Sequence, residues 1–140
     1  MAQGDGSVFN QIKMGIMQKL YNFHTGGDTL KVSLGTGAIP NCDGSKTIAD
    51  VVKFTGSGYA DQTLANQAVT QVDASDRGKF DGDDIAFGAL GPHATQVSYA
   101  VLWDDTVSDV LIATWVIDTN FPNGGTYGIT WSSDGIMYIG

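Results

Sequence analysis

Val97-Ser-Tyr-Ala-Val-Leu-Trp103, Val110-Leu-Ile-Ala-Thr-Trp-Val-Ile117 and Tyr127-Gly-Ile-Thr-Trp131 are the runs whose reading decides the fold class. In the first, Val97, Tyr99, Val101 and Trp103 alternate with smaller or more polar neighbours, the period of a strand. The second is apolar almost without a break, which predicts a central strand covered on both faces. Asp104-Asp105-Thr106 opens the loop between them, and Asn120 to Gly125, with Pro122 and Asn123-Gly124, is a turn signal before the third run. Ser133-Asp134-Gly135 then leads into Ile136 to Ile139, a pattern that predicts a terminal hairpin.

Upstream the same period recurs in Leu30, Val32 and Leu34, in Ala68, Thr70 and Val72, and in Ile85, Phe87 and Ala89. Gly35 to Lys46 reads as a long loop, and Ile48 to Phe54 fits either a short helix or a strand. Seven or eight short strands at roughly ten-residue spacing predict one β-sandwich or jelly-roll-like domain. Phe9, Ile12, Ile16 and Leu20 follow helical spacing instead, with Met17 beside them. They predict one amphipathic helix over about residues 7–22, capped by Ser7 and laid over a sheet, while residues 1–6 read as a flexible arm. Residues 7–140 then form a single domain, with no repeat and no linker.

Composition agrees with strands and turns. Glycine is 19 of 140 residues, about twice the usual share of roughly 7%. All 15 acidic residues are Asp, which favours turns and caps, and Glu, the better helix former, is absent. A net charge of -8, with Arg77 the one arginine, argues against nucleic acid or an anionic membrane surface as partner. Cys42 is the one cysteine, so no intrachain disulfide forms. No apolar run is long enough to span a membrane and the first residues lack a signal-peptide pattern, so the expectation is a soluble chain made in the cytoplasm.

Catalytic patterns fail one by one. His24 and His93 lie in predicted loops with no nucleophile motif beside them, and Gly56-Ser57-Gly58 lacks the spacing of a nucleophile elbow. Gly35-Thr36-Gly37 runs into Pro40 without the glycine and lysine of a phosphate loop. Asp81, Asp83 and Asp84 are the weak metal candidates. Laid on a twelve-residue calcium loop from Asp73 to Asp84, however, Arg77 falls on a ligand position. Asp104 and Asp105 are neighbours in a turn, so their side chains are expected to diverge rather than flank a sugar. Trp103, Trp115 and Trp131 lie in strand patterns, where packing is the ordinary use of an aromatic ring. The expectation is a protein that is not an enzyme and carries no cofactor.

Taken in order, Gly56-Ser-Gly-Tyr-Ala60, Phe80-Asp-Gly-Asp-Asp-Ile85, Tyr99-Ala-Val-Leu-Trp-Asp-Asp-Thr106, Leu111-Ile-Ala-Thr-Trp-Val-Ile-Asp118, Gly128-Ile-Thr-Trp131 and Gly135-Ile-Met-Tyr-Ile139 form a recognisable set. Over roughly residues 55 to 139 the chain resembles a family of small tailed-phage virion proteins. The resemblance implies a β-sandwich subunit on the particle, and within that class a capsid decoration, or cement, protein on the outside of the head. The implied partners are the major capsid protein and further copies of the chain, with a trimer the favoured oligomer. The candidate contact residues are Ala2, Gln3 and Asp5 in the arm, Pro40 and Asn41 in the first long loop, and Asn120, Phe121 and Pro122 in the second. The rival reading is a tail, fibre or adaptor component that binds a receptor or glycan.

Overall fold

A computed structural model describes residues 6–120 and 123–139 and, within them, all side chains except those of residues 118–120 and 139. Ala2, Gln3, Asp5, Phe121 and Pro122 lie outside the described residues. The order along the chain is β1 (Gly6–Val8), α1 (Asn10–Met17), β2 (Leu30–Thr36), β3 (Gln62–Thr63), β4 (Ala68–Val72), β5 (Arg77–Asp81), β6 (Ile85–Ala89), β7 (Val97–Asp104), β8 (Val110–Asn120), β9 (Thr126–Ile129) and β10 (Met137–Ile139). Single 3-10 turns occupy Ile48–Asp50 and Asp73–Ser75. The protein is mainly β, with about ten strands in antiparallel sheets and one α-helix among the described residues.

The strands form a five-stranded sheet in the order β1-β8-β7-β2-β3, a three-stranded sheet β10-β5-β4 and a pair β6-β9. The two runs that dominate the sequence lie side by side at the middle of the large sheet, Asp104 opposite Val110 and Val97 opposite Asn120. Ala100 to Trp103 and Leu111 to Trp115 are buried without interruption, so both faces of β7 and most of β8 are covered; Val116 breaks the run at the surface. Phe9 and Ile12, neither with any exposure, carry α1 onto β8.

Several expectations are corrected. The helix is shorter than residues 7–22, because Ser7 pairs opposite Thr114 in β1 instead of capping. Gly6, read as part of an arm, lies opposite Trp115. Phe9 holds the N-cap position in extended conformation with no side-chain cap. The helix closes where Leu20 N–H reaches Gly15 O (2.9 Å), Lys19 N–H reaches Ile16 O (3.1 Å) and Lys19 turns to a positive φ of 58°, a Schellman ending.

The Asp-rich stretch contains a strand that the sequence pattern does not show. Arg77-Gly-Lys-Phe-Asp81 is the central strand of the three-stranded sheet, hidden from a pattern reading because Phe80 is its one apolar residue. Nor do the last strands form a hairpin: β9 pairs with β6, whereas β10 pairs with β5. The break comes at Trp131, whose backbone N–H is taken by Asp84 Oδ1 and whose indole donates to Asp83 O, both at 2.9 Å. Ile136 N–H then bonds Phe80 O (2.9 Å) and starts the chain along the other sheet.

Candidate interaction surface

The predicted contact loop, Gly35 to Lys46, starts later than expected, because Gly35 and Thr36 close β2, and the rest is tied down. Asn10 N–H bonds Cys42 O (3.2 Å), and Asn10 Nδ2 donates to Asp43 Oδ1 (3.2 Å). Gln11 accepts from Lys46 N–H and donates to the Lys46 and Leu111 carbonyls. Pro40 is half-buried there, and exposed Asn41 turns its Oδ1 inward onto Asp43 N–H (2.8 Å). Asn120 ends β8 opposite Val97.

The acidic candidates serve different partners. Asp81 pairs with Lys79 (3.0 Å), Asp83 accepts from Asn66 Nδ2 (2.7 Å), and Asp84 holds the Trp131 backbone. Among the described residues no group of three or more His, Cys, Asp or Glu side chains converges as metal ligands would. His24 is exposed, and His93 packs edge-on against Phe54 with ring centroids 4.9 Å apart.

A polar cluster that sequence reasoning missed joins three segments at Asp61. Its Oδ1 accepts from Ser33 Oγ and Tyr59 OH, both at 2.7 Å, and its Oδ2 pairs with Lys53 Nζ at 2.6 Å. Burial alone would raise the Asp61 carboxyl, but the hydrogen bonds from Lys53, Ser33 and Tyr59 outweigh it and hold the group below its ordinary value. Burial and the Asp61 contact push the Tyr59 phenol up, away from use as a base. Ser33 donates to Asp61 and accepts from Trp103 Nε1, so its hydroxyl is committed to the fold. The chemistry of this cluster is to lock a loop to the sheet.

The surface that lacks a partner lies around α1. Ile12 and Gly15 face inward, while Asn10, Lys13, Met14 and Met17, at i, i+3, i+4 and i+7, form the outward stripe. Met17 is 80% exposed, Met14 53% and Leu20 52%. Beside the helix an apolar groove of about 330 Å³ is lined by Ile16, Tyr21, Phe23, Val69, Phe80 and Tyr138 among others. Val69 and Tyr138 are more than half exposed, so five of the eight large exposed hydrophobic side chains among the described residues belong to the helix, the turn that ends it at Leu20, or the groove. Tyr138 also lines a second, more polar groove of about 530 Å³ between β1 and the Ser132–Tyr138 segment.

Charge follows the same division. From Ser7 to Gly27 the chain contains no carboxylate side chain, whereas Lys13 and Lys19 are both there and both exposed. Across the groove Arg77 lies over the Tyr138 ring (4.4 Å), and Lys79 forms part of the lining. The sequence concealed this face because Leu20 falls on the stripe expected to be buried, with Met17 beside it, yet both are exposed. The usable signal was that helical spacing from Asn10 also selects Met17. No protein-family model, no curated protein and no solved structure matches the chain.

Proposed function

We propose that this protein is a tailed-phage capsid decoration protein that binds the outside of the assembled head. The observation that carries this reading is the exposed Met14–Met17–Leu20 face with its groove, on a small chain of net charge -8 that is otherwise well packed. Contiguous exposed apolar surface marks an interaction site, and methionine suits a surface that must adapt to its partner. The resemblance of residues 55 to 139 to small tailed-phage virion proteins names the class of partner. On this reading the three sheets form a sandwich or jelly-roll-like subunit, whose helix face lies against the major capsid protein.

The mechanism is mass action. A subunit that binds only the assembled lattice stabilises that lattice, and many weak contacts on a symmetric shell sum to a large effect. A partner surface offering carboxylates around an apolar centre would complement Lys13 and Lys19 and disfavour wrong orientations.

Purified heads lacking the protein, mixed with wild type and with the Met14→Gln/Met17→Gln double variant, test the reading. Binding of wild type near the copy number of the major capsid protein, reduced about tenfold or more in the variant, is expected for loss of a contact worth about 1.4 kcal/mol or more. Tens of copies or fewer per particle would move the reading to a tail component. Wild type that binds no part of the particle would remove it altogether.

A further inference from the structure

Asp104 closes β7 and is completely buried. Its Oδ1 accepts the backbone N–H groups of Thr106 and Val107, both at 2.9 Å. Its Oδ2 is buried and takes no hydrogen bond from an N–H or hydroxyl donor. The group that faces it is a second acid, Asp28, at the end of the segment joining α1 to β2. The backbone brings the two together: Leu30 lies opposite Asp104, Asp105 N–H bonds Thr29 O (2.9 Å), and Thr29 N–H bonds Thr106 Oγ1 (2.8 Å). Among the described residues neither acid has an ion-pair partner; the nearby Lys31 pairs with Asp105 instead (3.1 Å). Tyr21, from the same joining segment, feels the Asp104 charge.

A fully buried carboxylate that faces a second, half-buried one with no cation beside it favours its protonated form. We propose that Asp104 keeps its proton in the fold and donates it to Asp28, and that this O–H···O contact is a pH-sensitive latch on the Tyr21–Asp28 segment. The segment is already drawn inward by Asn22 N–H on Asp28 Oδ2 (2.8 Å), Asp28 N–H on Asn22 O (2.7 Å) and Gln67 Nε2 on the carbonyls of His24 and Asp28. It carries Tyr21, Phe23 and His24, one wall of the apolar groove. When the proton leaves to solvent, the O–H···O bond is replaced by repulsion between two carboxylates, and the wall loosens. Burial, supported by the neighbouring Asp28, pushes Asp104 up to about 6, so the change falls within the mildly acidic range. The latch is a property of the fold and stands whether or not the groove binds a capsid.

The test is NMR on the whole chain, following side-chain carboxyl and backbone amide resonances from about pH 4.5 to about pH 8 in wild type and Asp104→Asn. The side-chain amide introduced by that substitution can donate to Asp28 without titrating. In wild type, the Asp104 carboxyl should titrate near 6, with shifts concentrated in residues 21–29 and 104–107. Amide protection there, corrected for intrinsic exchange, should fall about tenfold or more above that pH and by less than about twofold in the variant. Ordinary titration of Asp104 below about pH 4.5 would overturn the proposal. So would equal loss of protection in both proteins, or resonances at the pair that move with added calcium chloride at constant pH, because a cation would then take the proton's place. Asp28→Asn supplies a second amide if the first variant does not fold.

Discussion

Trp103 donates its indole N–H to Ser33 Oγ at 2.9 Å, and that hydroxyl donates onward to Asp61. The chain of donors crosses from β7 to β2 and out to the loop before β3, ending on a carboxylate that Lys53 neutralises. Asp61→Ala would leave the Ser33 and Tyr59 hydroxyls without their acceptor in a half-buried or buried setting. The expected loss is about 3 kcal/mol, the range for hydrogen bonds to a charged group whose partners stay behind. Urea unfolding at neutral pH checks it, with an unchanged slope showing that only stability moved.

Gly15 and Gly35 look alike in sequence but should respond differently to alanine. A Cβ on Gly35 would overlap the Tyr99 ring, which is 1% exposed and has nowhere to go. Gly35→Ala should therefore cost at least about 1–3 kcal/mol as overpacking. A Cβ on Gly15 would run into the Tyr21 ring, but that ring is only partly buried. It can swing out, and alanine returns about 1 kcal/mol of helix propensity. Gly15→Ala should be near neutral in stability while disturbing the groove wall. Thermal melts of both variants, with tyrosine spectra for the second, separate these outcomes.

The helix end offers a prediction with two readouts. Lys19 adopts φ 58° at the position where a Schellman ending prefers glycine. Lys19→Gly should stabilise the protein by roughly 0.5–1 kcal/mol through relief of that conformation. The same change removes one of the two lysines that border the exposed face. If that face binds a carboxylate-bearing surface, attachment to heads should weaken and lose part of its salt dependence even as the melting temperature rises. Stability and attachment rising together would argue that the lysine border is irrelevant.

What the sequence made legible follows from where periodicity is strong. The runs Val97–Trp103 and Val110–Ile117 became the centre of the large sheet because apolar content over that length leaves no other place for them. Arg77–Asp81 was missed because its stabilisation comes from strand pairing on both sides, which a one-dimensional pattern does not record. The terminal hairpin failed for a similar reason: Trp131 is held by Asp83 and Asp84, almost fifty residues earlier, and a long-range anchor outweighed the local turn. Asp104 and Asp105 were expected to diverge and do, one buried and one paired with Lys31. That the buried one faces Asp28 depends on the register of β2 against β7, which residue spacing does not encode.

Asp61 and Asp104 should give stability opposite dependences on pH. Asp61 is held below the ordinary carboxylate value of 3.8, so its contribution is complete above that value and is lost as the pH falls through the lowered one. Asp104 is pushed up to about 6 from 3.8, so the folded state binds a proton that the unfolded state has released. Its contribution is complete below 3.8 and is lost as the pH rises through about 6. Wild type should therefore be most stable in mildly acidic solution, weaken toward pH 6 and then level off. Asp104→Asn keeps the hydrogen bond to Asp28 at every pH, so its stability should stay flat over that interval and exceed that of wild type at neutral pH. Asp61→Ala should instead remove part of the acid limb and leave the decline toward pH 6 in place. Urea midpoints at closely spaced pH values, measured for the three proteins in parallel, decide the matter. A decline toward neutral pH that survives in Asp104→Asn would assign it to another group.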